Sequence, residues 1–427
     1  MASNKKGILL GAVADDMTGA TDLCNTLVAR GMRTIQMIGL PGPRDAVPDA
    51  DAVVVALKSR NLPAADAVRV SKRARSWLEK AGAKQFFFKY CSTFDSTDDG
   101  NIGPVGDALL KATGGDLTTY CPAFPAAGRS VYNGHLFVGD QLISNTGMRN
   151  HPLTPMRDPD LVSVLGRQVT GDVGLVPFDV VNRGPKAIAK AFDQQRANGI
   201  RHVIVDAITE KHLIDLGLAG AGLKLMTGGS GAAMGLPDAF RKAGHLGAGK
   251  TAARLPRAKG LSAVIAGSCS VATLGQIEHM KGERPVFYVD AAELADNPGL
   301  AADAVRWAKG QMTDGPVLIY ASAKPAQVRK IQKRLGRDAA GELVENAMGS
   351  VAKGLIKAGV GRLVVAGGET SGAVVSSLGI KALRIGGEID PGVPWTYATG
   401  RTNLHLALKS GNFGQVNFFT RAFEVLG

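Results

Sequence analysis

Gly7-Ile-Leu-Leu-Gly-Ala-Val-Ala-Asp-Asp-Met-Thr-Gly-Ala20 opens the regular part of the chain. The apolar run from Gly7 to Ala14 stops on two aspartates, and a helical pattern follows from Thr18 to Arg30. A short run of unbroken apolar residues suits a strand buried on both faces, and a strand that feeds a helix is the first half of a βαβ unit. The alternation continues outward from there. Strands are expected at Arg33 to Ile38, Asp51 to Leu57 and Lys84 to Lys89, and helices at Pro63 to Ala81 and near Asn101 to Lys111. Such a series predicts an α/β fold with a mostly parallel sheet flanked by helices.

The rhythm breaks between residues 125 and 185, which are rich in Gly, Pro and Asn; a hairpin is expected at Val131 to Val138, turning on Asn133-Gly134. It resumes with a helix at Pro185 to Asn198 and strands at Arg201 to Val205 and Leu223 to Met226. Residues 241–260 are polar, rich in Gly and Ala, and lack an amphipathic period, so they read as a linker. A second series then places strands at Ser262 to Ala266, Pro316 to Tyr320, Arg362 to Ala366, Ala382 to Ile385 and Leu404 to Leu408, with helices between them. Two α/β domains are therefore expected, residues 1–240 and 261–427, with an active-site cleft between them. A length of 427 residues exceeds what one hydrophobic core usually supports.

With 45% hydrophobic and 20% charged residues, the composition is that of a globular protein rather than a disordered one. The net charge is +13, but no arginine-rich stripe or aromatic-basic cluster accompanies it, which favours anionic metabolites over nucleic acid as partners. No stretch approaches the roughly 20 apolar residues of a membrane span. The four cysteines are far apart and form no CxxC pair, so reduced thiols and a cytoplasmic location are expected, with no zinc or disulfide framework. The composition leaves a homo-oligomer open.

The most obvious motif misleads. Gly244 to Thr251 fits the phosphate-loop pattern G-x-x-x-x-G-K-[ST], yet a helical segment precedes it and Pro256 follows closely. A phosphate loop needs a strand before it and a helix after it, so that backbone N–H groups converge on the anion. This copy is expected to be idle.

Better candidates lie in the last third. The strand Arg362 to Ala366 runs into Gly367-Gly-Glu-Thr-Ser-Gly372 and then an expected helix at Ala373 to Leu378. The glycines admit close approach of an anion, Thr370 and Ser371 offer hydroxyls, and Glu369 suits magnesium, directly or through water. A helix merely capped by Thr370 or Ser371 is the plain alternative. Two similar junctions, Ala266-Gly-Ser-Cys-Ser270 and Leu408-Lys-Ser-Gly-Asn-Phe-Gly414, also follow strands. In open parallel sheets, ligands bind beyond the carboxyl ends of strands, so three such loops point to one phosphate-binding crevice.

In the first domain, Asp15 and Asp16 end the first strand, where one carboxylate is placed to take a proton from a substrate hydroxyl; helix capping is the plain alternative. Lys58-Ser-Arg60 and Lys89-Tyr-Cys-Ser-Thr-Phe-Asp-Ser-Thr97 put cations and hydroxyls at two more strand ends, with Asn101, Arg129 and His151 as further polar groups. An arginine fork and a lysine point charge both suit a carboxylate ligand.

Taken together, Ala14 to Ala20, Lys89 to Thr97, Gly100-Asn-Ile-Gly103, His151 to Met156, Gly228-Gly-Ser-Gly231, Gly367 to Gly372 and Lys409 to Gly414 resemble the four-carbon acid sugar kinase family nearly end to end. The wording at Cys91 to Gly103 and at Lys409 to Gly414 is most similar to its 3-oxo-tetronate branch. The resemblance implies an N-terminal sugar-acid-binding domain, a C-terminal nucleotide-binding domain, and transfer of the ATP γ-phosphoryl group to a C4 hydroxyl with Mg²⁺. It places Ser268, Gly368, Glu369, Thr370, Ser371 and Gly411 on ATP. For the acid we expect Arg60, Lys89, Ser96, Thr97 and Asn101, with Asp16 as the base and Asp15 as the close second. Threonate and erythronate kinases are the neighbouring alternatives. An NAD-dependent hydroxyacid dehydrogenase would need a G-x-G-x-x-G turn that the first strand lacks, and a non-catalytic nucleotide sensor would use the same two domains.

Overall fold

The computed structural model describes residues 7–94, 97–151, 154–249, 251–323, 325–400 and 403–426. The chain divides into two compact units, Met1–Ala253 and Arg254–Gly427, and the division falls inside the polar stretch 241–260.

The first unit carries strands β1 (Leu10–Ala14), β2 (Thr34–Ile38), β3 (Ala52–Ala56), β4 (Gln85–Lys89), β5 (Thr118–Cys121), β6 (Arg129–Tyr132), β7 (His135–Val138), β8 (Gln141–Leu142), β9 (Val173–Val176), β10 (His202–Val205) and β11 (Leu225–Gly228). Eight of them line up as β2-β3-β1-β4-β11-β5-β10-β9, with every neighbouring pair parallel. β1, β3, β4 and β5 are buried along their whole length. Helices cover both faces of such a sheet, which is why these strands read as apolar runs without alternation. From β1 the chain runs out to β2 and β3 and then returns to β4 on the other side. In open parallel sheets, a reversal of this kind is where ligands are bound, beyond the carboxyl ends of the strands, here those of β1 and β4.

β6, β7 and β8 form a small antiparallel sheet of their own. Asn133 (φ 47°) and Gly134 (φ 77°) make its turn, both at the positive φ that a two-residue hairpin of this hand requires. Their amides donate to the buried Asp206 carboxylate at 2.6 and 2.9 Å, and Phe178 N adds a third bond at 2.8 Å. Burial pushes the Asp206 carboxyl up, and these three N–H groups oppose it. Asp206 therefore acts as a structural anchor for the hairpin.

The second unit carries β12 (Leu261–Ala266), β13 (Val286–Tyr288), β14 (Val317–Tyr320), β15 (Val360–Ala366), β16 (Ala382–Asp390), β17 (Val393–Ala398) and β18 (His405–Lys409), in the order β13-β14-β12-β15-β18-β17-β16. The first five are parallel; β17 is antiparallel to β18 and to β16. The helix expected between Ile385 and Leu404 is absent, and a meander takes its place. Asp390-Pro-Gly-Val393 turns the chain straight back, pairing Asp390 with Val393. Trp395 seals the meander against the C-terminal helix, its Nε1 donating to Ala422 O at 2.8 Å.

Two further outcomes bear on the phosphate loops. The helix expected to begin at Ala373 begins at Gly368 and runs to Ser377. The described part of Gly244 to Thr251 follows the helix Leu236–Lys242, and residues 251–253 form a turn, so the strand and helix of a phosphate loop are both missing there. Lys250 lies outside the described residues. All four cysteines are free, and no helix among the described residues is long and apolar enough to cross a membrane.

Candidate active site

At the carboxyl end of β1, the two aspartates diverge as successive strand residues must. Asp15 turns inward, with 4% of its side chain exposed, whereas Asp16 keeps 27%. Arg60, on the loop after β3, reaches both. Its Nε donates to Asp15 Oδ2 and its Nη2 to Asp15 Oδ1, each at 2.9 Å, and Nη2 also lies 2.9 Å from Asp16 Oδ1. Burial pushes the Asp15 carboxyl above its ordinary range, and the two Arg60 hydrogen bonds pull it back. Burial likewise works against the guanidinium charge, but Asp15 and then Asp16 hold its pKa above the usual value.

Asp16 is also the N-cap of the helix Met17–Ala29. Its Oδ1 accepts from Gly19 N at 2.8 Å and its Oδ2 from Thr18 Oγ1 at 3.1 Å. Lys89, the last residue of β4, is buried, with Nζ donating to Tyr90 O at 2.8 Å. It reaches the same corner, because a side chain on Gly19 would collide with Asp16 Oδ1 and come within 3.1 Å of Lys89 Nζ. Asp15, Asp16, Arg60 and Lys89 thus meet at one end of β1 and β4.

The other residues expected to hold the acid are placed differently. Asn101 is buried, and its Nδ2 points at the carbonyls of Ser59, Arg60 and Leu62 at 2.9, 3.1 and 3.0 Å, so its amide is spent on the loop that carries Arg60. Thr97 enters through its carbonyl, which accepts from Gln168 Nε2 at 2.5 Å. Ser96 lies outside the described residues. His151 Nδ1 accepts from Thr154 N at 3.1 Å, and Arg129 turns back onto Ala127 O, both local contacts. One group escaped notice: Asp22, on the helix that Asp16 caps, accepts from Ser230 Oγ at 2.5 Å. A lone carboxylate among the buried Ala20, Leu23 and Cys24 was the available signal.

In the second unit three strand-end loops are stitched together. Gly267 N donates to Ala366 O at 3.0 Å and Gly367 N to Lys409 O at 2.9 Å. Ser270 Oγ donates to Gly411 O at 2.6 Å, and Ser268 Oγ accepts from Ser270 N at 3.2 Å. Ser268, the residues from Gly368 to Ser371, and Gly411 are thereby gathered on the carboxyl ends of β12, β15 and β18. Gly367, at φ 124°, starts the helix Gly368–Ser377 without any side-chain cap. The first N–H groups of a helix have no carbonyl within it. Neither Thr370 nor Ser371 is therefore the cap; both are buried in the first turn, and the Ser371 hydroxyl has no hydrogen-bond partner among the described residues. A Cβ on Gly368 would meet nothing within 4 Å, so this helix end is open. An open, uncapped helix end beside a free hydroxyl is the arrangement an anion would require.

The family model described as the sugar-binding N-terminal domain matches residues 10–236, and that described as the nucleotide-binding C-terminal domain matches residues 263–419. A curated 3-oxo-tetronate kinase of Burkholderia multivorans is 53% identical over 426 residues, covering 100% of this chain and 99% of its own. The chain belongs to the four-carbon acid sugar kinase family. A 3-oxo-tetronate kinase of Cupriavidus necator is 52% identical over 98% of this chain and 97% of its own. A solved Haemophilus influenzae protein matches at a TM-score of 0.86 and 40% identity, covering 98% of this chain and 100% of its own.

For this sugar acid kinase relative, the packing of Gly411 makes a sharp test. An added Cβ there would collide with Ser268 Oγ and come within 3.0 Å of Ser270 Oγ, both already engaged in the loop. Gly411→Ala should raise the KM for ATP about tenfold or more, as expected when charge-binding contacts are displaced. The KM for the acid should stay put, and steady-state kinetics on both substrates reads the difference.

Proposed function

We infer that the chain is an ATP-dependent kinase that phosphorylates the C4 hydroxyl of 3-oxo-tetronate, giving 3-oxo-tetronate 4-phosphate. The observation that carries this reading is the pairing, in one chain, of an uncapped helix end fed by three glycine- and serine-rich loops with a carboxylate-and-cation cluster at the end of β1 and β4. The names of the full-length relatives supply the substrate.

Phosphoryl transfer depends on alignment and charge stabilisation more than on covalent chemistry. Asp16, the more exposed aspartate, orients the C4 hydroxyl and accepts its proton. Arg60 has its guanidinium fixed by Asp15 and, with Lys89, supplies the positive field for the acid's carboxylate; Asn101 positions the Arg60 loop. Ser268, Thr370, Ser371 and the backbone from Gly368 and at Gly411 receive the phosphates. Glu369 is exposed in the first turn of its helix, beside the hydroxyls of Thr370 and Ser371. That donor set fits Mg²⁺, which keeps several waters and takes one or two carboxylates plus phosphate oxygens, and which when bound neutralises phosphate charge.

An ADP-release assay with ATP, Mg²⁺ and a panel of tetronates tests the reading. Turnover is expected with 3-oxo-tetronate above threonate and erythronate. ADP formation with none of the panel would defeat it, and a preference for threonate or erythronate would move the chain to a neighbouring branch.

A further inference from the structure

Lys409, the last residue of β18, is 1% exposed. Its Nζ donates to Thr273 Oγ1 at 3.0 Å, Ser410 O at 3.1 Å and Gly411 O at 2.9 Å, which uses all three of its protons on uncharged acceptors. Gly411 O also accepts from Ser270 Oγ at 2.6 Å and Thr273 Oγ1 at 2.9 Å, so three donors converge on a single carbonyl. A buried ammonium held only by neutral groups is costly. Burial pulls its pKa down from 10.5 to about 8, so the native state holds this proton less tightly than the unfolded chain. The penalty is therefore complete below about pH 8 and fades as pH rises toward 10.5. An apolar side chain of similar volume is often at least as stable in such a place, so stability does not account for a lysine there.

We propose that Lys409 is a positioning residue for the nucleotide, holding the Gly411 loop in its phosphate-receiving shape and supplying a positive charge that favours a polyanion at that loop. The proposal rests on the reading of the three loops as the ATP site. Because its protons are committed within the protein, Lys409 acts through the Gly411 peptide and through its field.

The test compares Lys409→Met, which removes charge and donors, with Lys409→Gln, which keeps amide donors without charge, in the full chain. Calorimetric titration with ATP and with adenosine, steady-state kinetics and thermal melting are measured for each. Both variants should lose about 10- to 100-fold in ATP affinity, the range of charge-assisted hydrogen bonds, with a smaller loss for adenosine and an unchanged KM for the acid. Unchanged ATP affinity in a folded variant overturns the proposal. So does an equal loss for ATP and adenosine, or a fall in melting temperature with intact kinetics, since either marks a purely structural lysine. Should the Met variant fail to fold, the Gln variant decides. A wild-type protein that neither binds nor turns over ATP would instead defeat the nucleotide reading itself.

Discussion

Asp16→Asn should lower kcat about a hundred- to ten-thousand-fold while the melting temperature barely moves. Asparagine caps a helix about as well as aspartate, so the bond from Gly19 N survives. Asp15 keeps its two bonds from Arg60, so the guanidinium stays anchored. What disappears is the capacity to take a proton from the C4 hydroxyl. A capping residue and a base thus predict opposite outcomes for one substitution, and an ADP-release assay beside a thermal melt distinguishes them. If kcat survives, the base lies elsewhere, and Asp22, which sits on the helix that Asp16 caps and accepts a hydrogen bond from Ser230, is the next carboxylate to change.

Arg60→Met should lower stability as well as weaken binding of the acid. It strips both hydrogen bonds from Asp15, a carboxylate with 4% of its side chain exposed, and removes the partner of Asp16. Leaving one member of a buried pair unmatched costs about 3 kcal/mol. Adding Asp15→Asn to the same background should recover part of that loss, because a neutral amide needs no cation. Denaturant melts of the single and double variants check this, and a single variant as stable as wild type would show the pair to be dispensable. The deficit should shrink as pH falls below the raised Asp15 titration, since a protonated carboxyl also needs no counter-charge. Arg60→Lys should rescue only partly, since an ammonium cannot reproduce the two-pronged contact.

Much of the scaffold was legible in the residues because a doubly covered parallel sheet writes itself as unbroken apolar runs, and β1, β3 and β4 fall where such runs occur. The Asn133-Gly134 turn was legible because few pairs tolerate positive φ twice. β17 was missed although Asp390-Pro-Gly-Val393 announces a reversal, because a βα rhythm was carried past it. The start of the helix at Gly368 was also missed: two glycines read as loop, whereas here the first lies outside the helix and the second within it. At the acid site, strand-end charges could be picked out one by one, but not which of them bind each other. Arg60 and Asn101 both carry chemistry suited to the acid, but long-range contacts commit them first to Asp15 and to the Ser59–Leu62 backbone. The sequence shows Lys409 only as part of a motif, because burial beside neutral acceptors leaves no trace in composition.

The Asn101 side chain ties together positions about forty residues apart. One amide faces three carbonyls of a single loop, so the loop bearing Arg60 and the start of the helix Ile102–Thr113 have little freedom to drift independently. Substitutions at Ser59 or Leu62 that shift those carbonyls should be tolerated only with a compensating change at 101. In a lineage adapting to a different acid, these sites would covary, and the first adaptive steps would fall on segments outside that clamp.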